Sequence, residues 1–113
     1  MDDCRFIAER VARTLEARGF ECTLVTDGYS GLQLLREIHF ELVVADINTP
    51  MIDGLALLRC IRRDAEHFRT PVLMLSAEYS SADHQRTLGL CAEYMTKPLQ
   101  QRTLNAMLDS MLD

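Results

Sequence analysis

The sequence predicts one α/β domain in which a parallel sheet lies between two layers of helices, and three observations carry that prediction. Helical and strand signals alternate along the chain, five of the first kind and four of the second. The two most apolar strand runs, Leu42-Val43-Val44-Ala45 and Val72-Leu73-Met74-Leu75, are continuous rather than alternating, as strands buried on both faces are. Both end abruptly in a polar residue, Asp46 and Ser76. Strands that alternate with helices pair in parallel through right-handed crossovers, so the expected arrangement is flavodoxin-like. In open sheets of this kind ligands sit beyond the carboxyl ends of the strands, and strand-ending residues become the candidates for chemistry.

The elements follow in order. Asp2 and Asp3 stand ahead of a helix with Phe6, Ile7, Val11 and Leu15 on one side, stopped by Gly19. Cys22 to Thr26 reads as a strand, and Asp27-Gly28 opens a helix carrying Leu32, Leu35 and Ile38. The strand ending at Asp46 comes next, closed by the loop residues Asn48-Thr49-Pro50, since Pro50 disfavours helical geometry at Thr49. The Asp53-Gly54 turn leads into a helix from Leu55 to Ile61, with Arg59, Arg62 and Arg63 expected to face water. After Pro71 and the second apolar strand, Ser80 to Leu88 reads as a helix with only Ala82 and Leu88 apolar. Tyr94-Met95-Thr96 reads as a last strand and Lys97-Pro98 as a turn. Leu104, Met107, Leu108 and Met111 form the buried side of a final helix.

Composition narrows the function classes. The 113 residues fit one domain over 1–113, and a net charge of −5 without a basic run argues against nucleic acid as the main partner. The longest apolar runs are too short for a membrane span and no signal peptide is evident, which makes the cytosol the expected location. Cys4, Cys22, Cys60 and Cys91 lie far apart, without zinc or redox spacing, and are expected to be reduced and mostly in the core. No glycine-rich nucleotide-binding motif occurs.

Strand ends cluster in space, so Asp2, Asp3, Asp46, Ser76 and Lys97 can converge on one edge of the sheet. Carboxylates sharing a pocket repel one another unless a cation is present, and hard oxygen ligands select Mg²⁺ or Mn²⁺. A lysine and a serine beside them are groups that hold phosphoryl oxygens. Asp46 would then be the nucleophile of a phosphoryl transfer that makes an acyl phosphate.

The chain resembles the receiver domain of two-component response regulators over nearly all its length. The pieces that carry the likeness are Asp2-Asp3, Asp46-Ile47-Asn48-Thr49-Pro50-Met51-Ile52-Asp53-Gly54, Leu75-Ser76-Ala77 and Lys97-Pro98-Leu99. The resemblance implies that Asp46 is phosphorylated by a histidine kinase or phosphotransfer protein. It implies Mg²⁺ bound by Asp3, Asp46 and the Asn48 carbonyl, with Asp2 acting through water. Ser76 and Lys97 would bind the phosphoryl oxygens, the Lys97-Pro98 bond would be cis, and Tyr94 would be the switch aromatic that turns inward as the hydroxyl moves. Asn48 and Glu78 would tune how water reaches the acyl phosphate. The signal would be read by a downstream protein partner on the face formed by the fourth helix, the last strand and the final helix, and the chain itself would not be an enzyme. His39, His67 and His84 match nothing in the motif and are expected at the surface.

One departure from the pattern is large. Receivers carry a short apolar strand ahead of the acidic pair, central in the strand order 2-1-3-4-5, and only Met1 precedes Asp2 here. Each buried side chain of such a strand contributes roughly 1.5–3 kcal/mol, against a domain's net stability of roughly 5–15 kcal/mol. The expectation is a sheet with its first strand missing or replaced and four strands per chain: either the natural start lies elsewhere, or the remaining strands close the gap as a rearranged sheet, or another chain covers it, with self-association favoured. A second departure is Leu90-Cys91, where the family has a glycine-containing turn and Gly89 stands one place early. The competing reading is a receiver-like interaction or dimerisation module that works without phosphorylation; a phosphatase using Asp46 lacks a second acid two residues on.

Overall fold

The computed structural model describes residues 4–25, 27–47, 53–97 and 99–112. Five helices and three strands occur among them: α1 Cys4–Glu16, α2 Gly28–Glu37, β1 Val43–Asp46, α3 Gly54–Arg63, β2 Val72–Ser76, α4 Ser81–Gly89, β3 Glu93–Thr96 and α5 Gln101–Leu112. The strands pair in parallel in the order β1-β2-β3, with Val43 opposite Val72 and Leu73 opposite Glu93. Side chains alternate across β2, so Val72 and Met74 join Leu35, Leu55, Leu58 and Ile61 from α2 and α3. Leu73 and Leu75 join Ile7, Val11 and Leu15 of α1 and Leu104 and Leu108 of α5 on the other face. The result is the three-layer α/β architecture that the alternation predicts.

Among the described residues three strands rather than four form this sheet. The expected strand at Cys22 to Thr26 makes no ladder over its described residues 22–25, and Leu24 and Val25 are exposed. A parallel strand needs a neighbour to receive its backbone groups, and β1 pairs only with β2 among the described residues. Cys22 packs toward α1 instead, its Sγ 3.5 Å from the Ala12 carbonyl. The same lack of a neighbour makes β1 an edge strand, half-buried along its length, while β2 is buried throughout. Burial on both faces, expected of both apolar strands, is therefore complete only in β2.

Three local readings also change. His67 is not at the surface: it is fully buried, its Nδ1 2.6 Å from the Asp64 carboxylate and its Nε2 accepting the Phe40 N–H at 3.0 Å. That second bond places the ring proton on Nδ1, and the neutral imidazole ties the loop before β1 to the loop before β2. Arg62 does not face water but bonds the carbonyls of Thr70 at 2.8 Å, Leu90 at 2.7 Å and Cys91 at 3.1 Å. Among the described thiols, Cys22 and Cys60 are half-buried and Cys91 is exposed, so they are free but not core residues. Burial, with help from Glu16, pushes the Cys22 thiol above its ordinary value. Cys91 takes a left-handed backbone at φ 58°, the conformation that a glycine would adopt without strain.

Helix ends agree with sequence chemistry. Gly19, at φ +96°, ends the turn after α1, with its N–H on the Glu16 carbonyl. Asp27 caps α2 by accepting the Ser30 N–H at 2.7 Å, and Ser80 caps α4 by accepting the Asp83 N–H at 3.2 Å. The attachment of α4 differs from expectation, since Ala82 and Leu88 are both exposed. Thr87, fully buried, and His84 occupy its inner side.

Candidate functional site

The C-terminal edge of the sheet is built by three strand ends. β1 stops at Asp46, after which the Ile47 N–H reaches the Leu75 carbonyl at 2.8 Å. The start of α3 then closes tightly beneath it. Asp53 accepts the Leu55 N–H at 2.7 Å, and the Gly54 N–H donates to the Ile47 carbonyl at 2.9 Å. A Cβ on Gly54 would lie 2.3 Å from the Asp46 carbonyl oxygen, so only glycine lets the helix approach the strand end this closely. β2 ends at Ser76, paired with Thr96 on β3, and the Lys97 N–H donates to the Ser76 carbonyl at 2.8 Å. Residues 30 and 51 positions from Asp46 in sequence are thereby held at the same edge.

Across that edge the Lys97 ammonium bonds Asp46 Oδ2, with the two side chains only 13% and 19% exposed. A charge-assisted bond in so dry a setting fixes the lysine beside the carboxylate rather than leaving it in solvent. Ser76 is buried and donates its hydroxyl to the Glu78 carbonyl at 2.6 Å, not to Asp46. Tyr94, also buried, donates to that same carbonyl at 3.4 Å and accepts the Ser80 N–H at 3.2 Å. The Glu78 side chain is exposed, so its backbone is what enters the network.

The structure thus brings together Asp46 and Lys97 by contact, and Ser76 with Tyr94 through one shared acceptor. Asp2, Asp3, Asn48 and the Lys97-Pro98 bond lie outside the described residues. Among the described residues no group of three or more His, Cys, Asp or Glu side chains could hold a metal ion, and no helix is long and apolar enough to cross a membrane. The oxygen chemistry of Asp46 suits a hard cation such as Mg²⁺, provided that further oxygens come from beside it. Sequence reasoning missed the Glu78 carbonyl, because a backbone acceptor has no residue signature. It also took Gly54 only as a turn residue, although an Asp-Gly pair ahead of a helical stripe is also a capping signal.

Comparison with known proteins agrees with this geometry. Residues 1–109 match the response regulator receiver domain family. The chain is 36% identical over 114 residues to the transcriptional activator protein PfeR of Pseudomonas aeruginosa, covering 98% of this chain but 35% of PfeR. It superposes on a putative response regulator from Chloroflexus aurantiacus with a TM-score of 0.87 at 25% identity, covering 99% of this chain and 93% of that one. A receiver domain of a Pseudomonas aeruginosa sensor histidine kinase, with a magnesium ion coordinated in its active-site cleft, superposes with a TM-score of 0.79 at 25% identity over 96% of this chain and 87% of that one. With the α/β fold, the strand-end acid and lysine and the match over nearly its whole length, the chain belongs to the response regulator receiver domain family.

Proposed function

We propose that the chain is a phosphoacceptor in two-component signalling, taking a phosphoryl group on Asp46 from a histidine kinase or phosphotransfer protein. The observation that carries this reading is the Lys97 ammonium held on the Asp46 carboxylate at the ligand edge of the sheet. An Asp46 oxygen attacks phosphorus, the bond from phosphorus to the donor nitrogen breaks, and that nitrogen keeps the electron pair. Lys97 is already placed to move from the carboxylate to a phosphoryl oxygen as charge builds there. Ser76 has a single proton, so binding the phosphoryl group requires it to release the Glu78 carbonyl. Bound Mg²⁺ would neutralise charge on the transferring group, held by Asp46, Asp3 and the Asn48 carbonyl, with Asp2 acting through water.

Release of Glu78 is what would carry the signal outward, through Tyr94 to the face of α4, β3 and α5 where a downstream partner reads it. Asn48 and the exposed Glu78 side chain would set how fast water removes the group. The edge of β1, unpaired among the described residues, supports self-association as the way that this sheet is completed. It also supports the second reading, an interaction module that works without phosphorylation. Intact mass after incubation with Mg²⁺ and acetyl phosphate separates the two: an adduct on Asp46 supports the first, and an unmodified chain the second.

A further inference from the structure

We propose that His84 is a positioning residue for Tyr94, and that its stack on the phenol sets how readily the segment 77–80 follows a phosphoryl group at Asp46. The inference rests on the phosphoacceptor reading above. The His84 and Tyr94 rings lie face to face, centroids 4.9 Å apart at 15°. Tyr79 closes the cluster edge-on, 5.7 Å from His84 at 81° and 6.1 Å from Tyr94 at 82°, with its hydroxyl 3.3 Å from His84 Nδ1. Three rings from the 77–80 segment, α4 and β3 therefore pack as one unit.

The unit is joined to the phosphoryl edge by hydrogen bonds. Ser76 and Tyr94 share the Glu78 carbonyl, and the Ser80 N–H donates to the Tyr94 hydroxyl. Ser80 is also the cap of α4, and its carbonyl accepts the His84 N–H at 2.9 Å. When Ser76 turns to a phosphoryl oxygen, Glu78 keeps only the 3.4 Å bond from Tyr94, and the segment loses its short tether. Tyr94 then keeps its bonds to the Glu78 carbonyl and the Ser80 N–H, and the stack on His84 is the ring contact from α4 that still holds its phenol in place. The helix has little else to hold it at this end, because Ala82 is exposed and Thr87 lies a turn away. A stacked pair of this geometry biases a two-state equilibrium by about 3- to 10-fold. Removing the ring should shift Tyr94 toward the state that the phosphoryl group favours.

The test titrates beryllofluoride in the presence of Mg²⁺ into wild type, His84→Ala and His84→Phe, following the Tyr94 ring protons by NMR. Phenylalanine keeps the stacking face while losing the Nδ1 contact, so it separates positioning from imidazole chemistry. His84→Ala is expected to reach half-saturation at about 3- to 10-fold lower beryllofluoride, and His84→Phe to stay within about twofold of wild type. In the unliganded proteins the Tyr94 ring shifts should move in His84→Ala and be kept in His84→Phe. If wild type responds and all three titrations coincide, or if the phenylalanine variant shifts as far as the alanine variant, the positioning role is overturned. A wild type that does not respond at all overturns the phosphoacceptor reading first, and this proposal with it.

Discussion

Ser76 and Tyr94, 18 residues apart, donate to the same oxygen, the carbonyl of Glu78, at 2.6 and 3.4 Å. One acceptor serves a residue at the ligand edge and a residue facing α4, so a change at either end is felt at the other. Replacing Ser76 by Ala removes the shorter of the two bonds, each worth about 0.5–1.5 kcal/mol net. The Tyr94 ring is then expected to respond only weakly when beryllofluoride binds, because Glu78 has already been released. Ring-proton shifts of Tyr94 with and without beryllofluoride check this; a response of full wild-type size in Ser76→Ala would contradict it.

Lys97 is expected to act on the rate of phosphorylation. A preplaced charged donor at a developing phosphoryl charge contributes about 100-fold or more, so Lys97→Met should slow adduct formation from acetyl phosphate by about two orders of magnitude. Stopped time points read by intact mass measure it. A rate within about threefold of wild type would mean that Lys97 pairs with Asp46 for stability alone.

Asp64 and His67 predict an acid limit to stability. The bond from the His67 ring holds the Asp64 carboxyl below its ordinary value of 3.8, with the Glu66 N–H adding to it. A carboxyl whose pKa is lowered by folding contributes stability above its unfolded value and loses it as pH falls through the folded one. Asp64→Asn should therefore destabilise the domain near neutral pH and differ little from wild type once pH is below that of the folded carboxyl. His67→Ala leaves the Phe40 N–H without its acceptor and opens a void at a fully buried site, costing about 2–4 kcal/mol. Urea unfolding of the three proteins across pH 2–7 tests both statements, and an Asp64→Asn deficit that is constant with pH would contradict the first.

Cys91 stores strain that glycine would relieve. A left-handed backbone costs a residue with a Cβ about 1–2 kcal/mol, partly offset by glycine's extra freedom in the unfolded chain. Cys91→Gly is expected to gain about 0.5–1 kcal/mol and raise the unfolding midpoint by a few degrees. The bond from Arg62 to the Cys91 carbonyl is to backbone and survives the change. A lowered midpoint in calorimetry would contradict this.

The outer edge of β1 predicts self-association. The Val43 and Ile47 N–H groups turn toward β2, on the carbonyls of Pro71 and Leu75, so the Val44 N–H between them turns away from β2, to a side with no strand among the described residues. An apolar strand that pairs on one side only among the described residues invites pairing on the other. Sedimentation at micromolar concentration is expected to show a dimer, and Val44→Pro to weaken it. A monomer across that range would mean that the sheet is complete with three strands.

Much of this architecture is legible in the sequence because continuous apolar runs, glycine stops and Asp or Ser caps are local signals. Asp46, Ser76 and Lys97 could be set on one edge because parallel topology forces strand ends together. The missing ladder at residues 22–25 was not legible, since strand propensity is local whereas pairing depends on a neighbour. His67, Arg62 and His84 were misplaced for a common reason. A polar side chain held by specific hydrogen bonds or stacking leaves no apolar periodicity, and its partners, backbone groups in some cases and rings or a carboxylate in others, carry no sequence signature.

The central claim is that Asp46 accepts a phosphoryl group with Lys97 beside it, and intact mass spectrometry tests it most directly. Wild-type protein incubated with Mg²⁺ and acetyl phosphate should gain the mass of one phosphoryl group, lose the gain when the cation is chelated beforehand, and show none in Asp46→Asn. An unmodified wild type under excess donor, or an equal adduct in Asp46→Asn, would contradict the account.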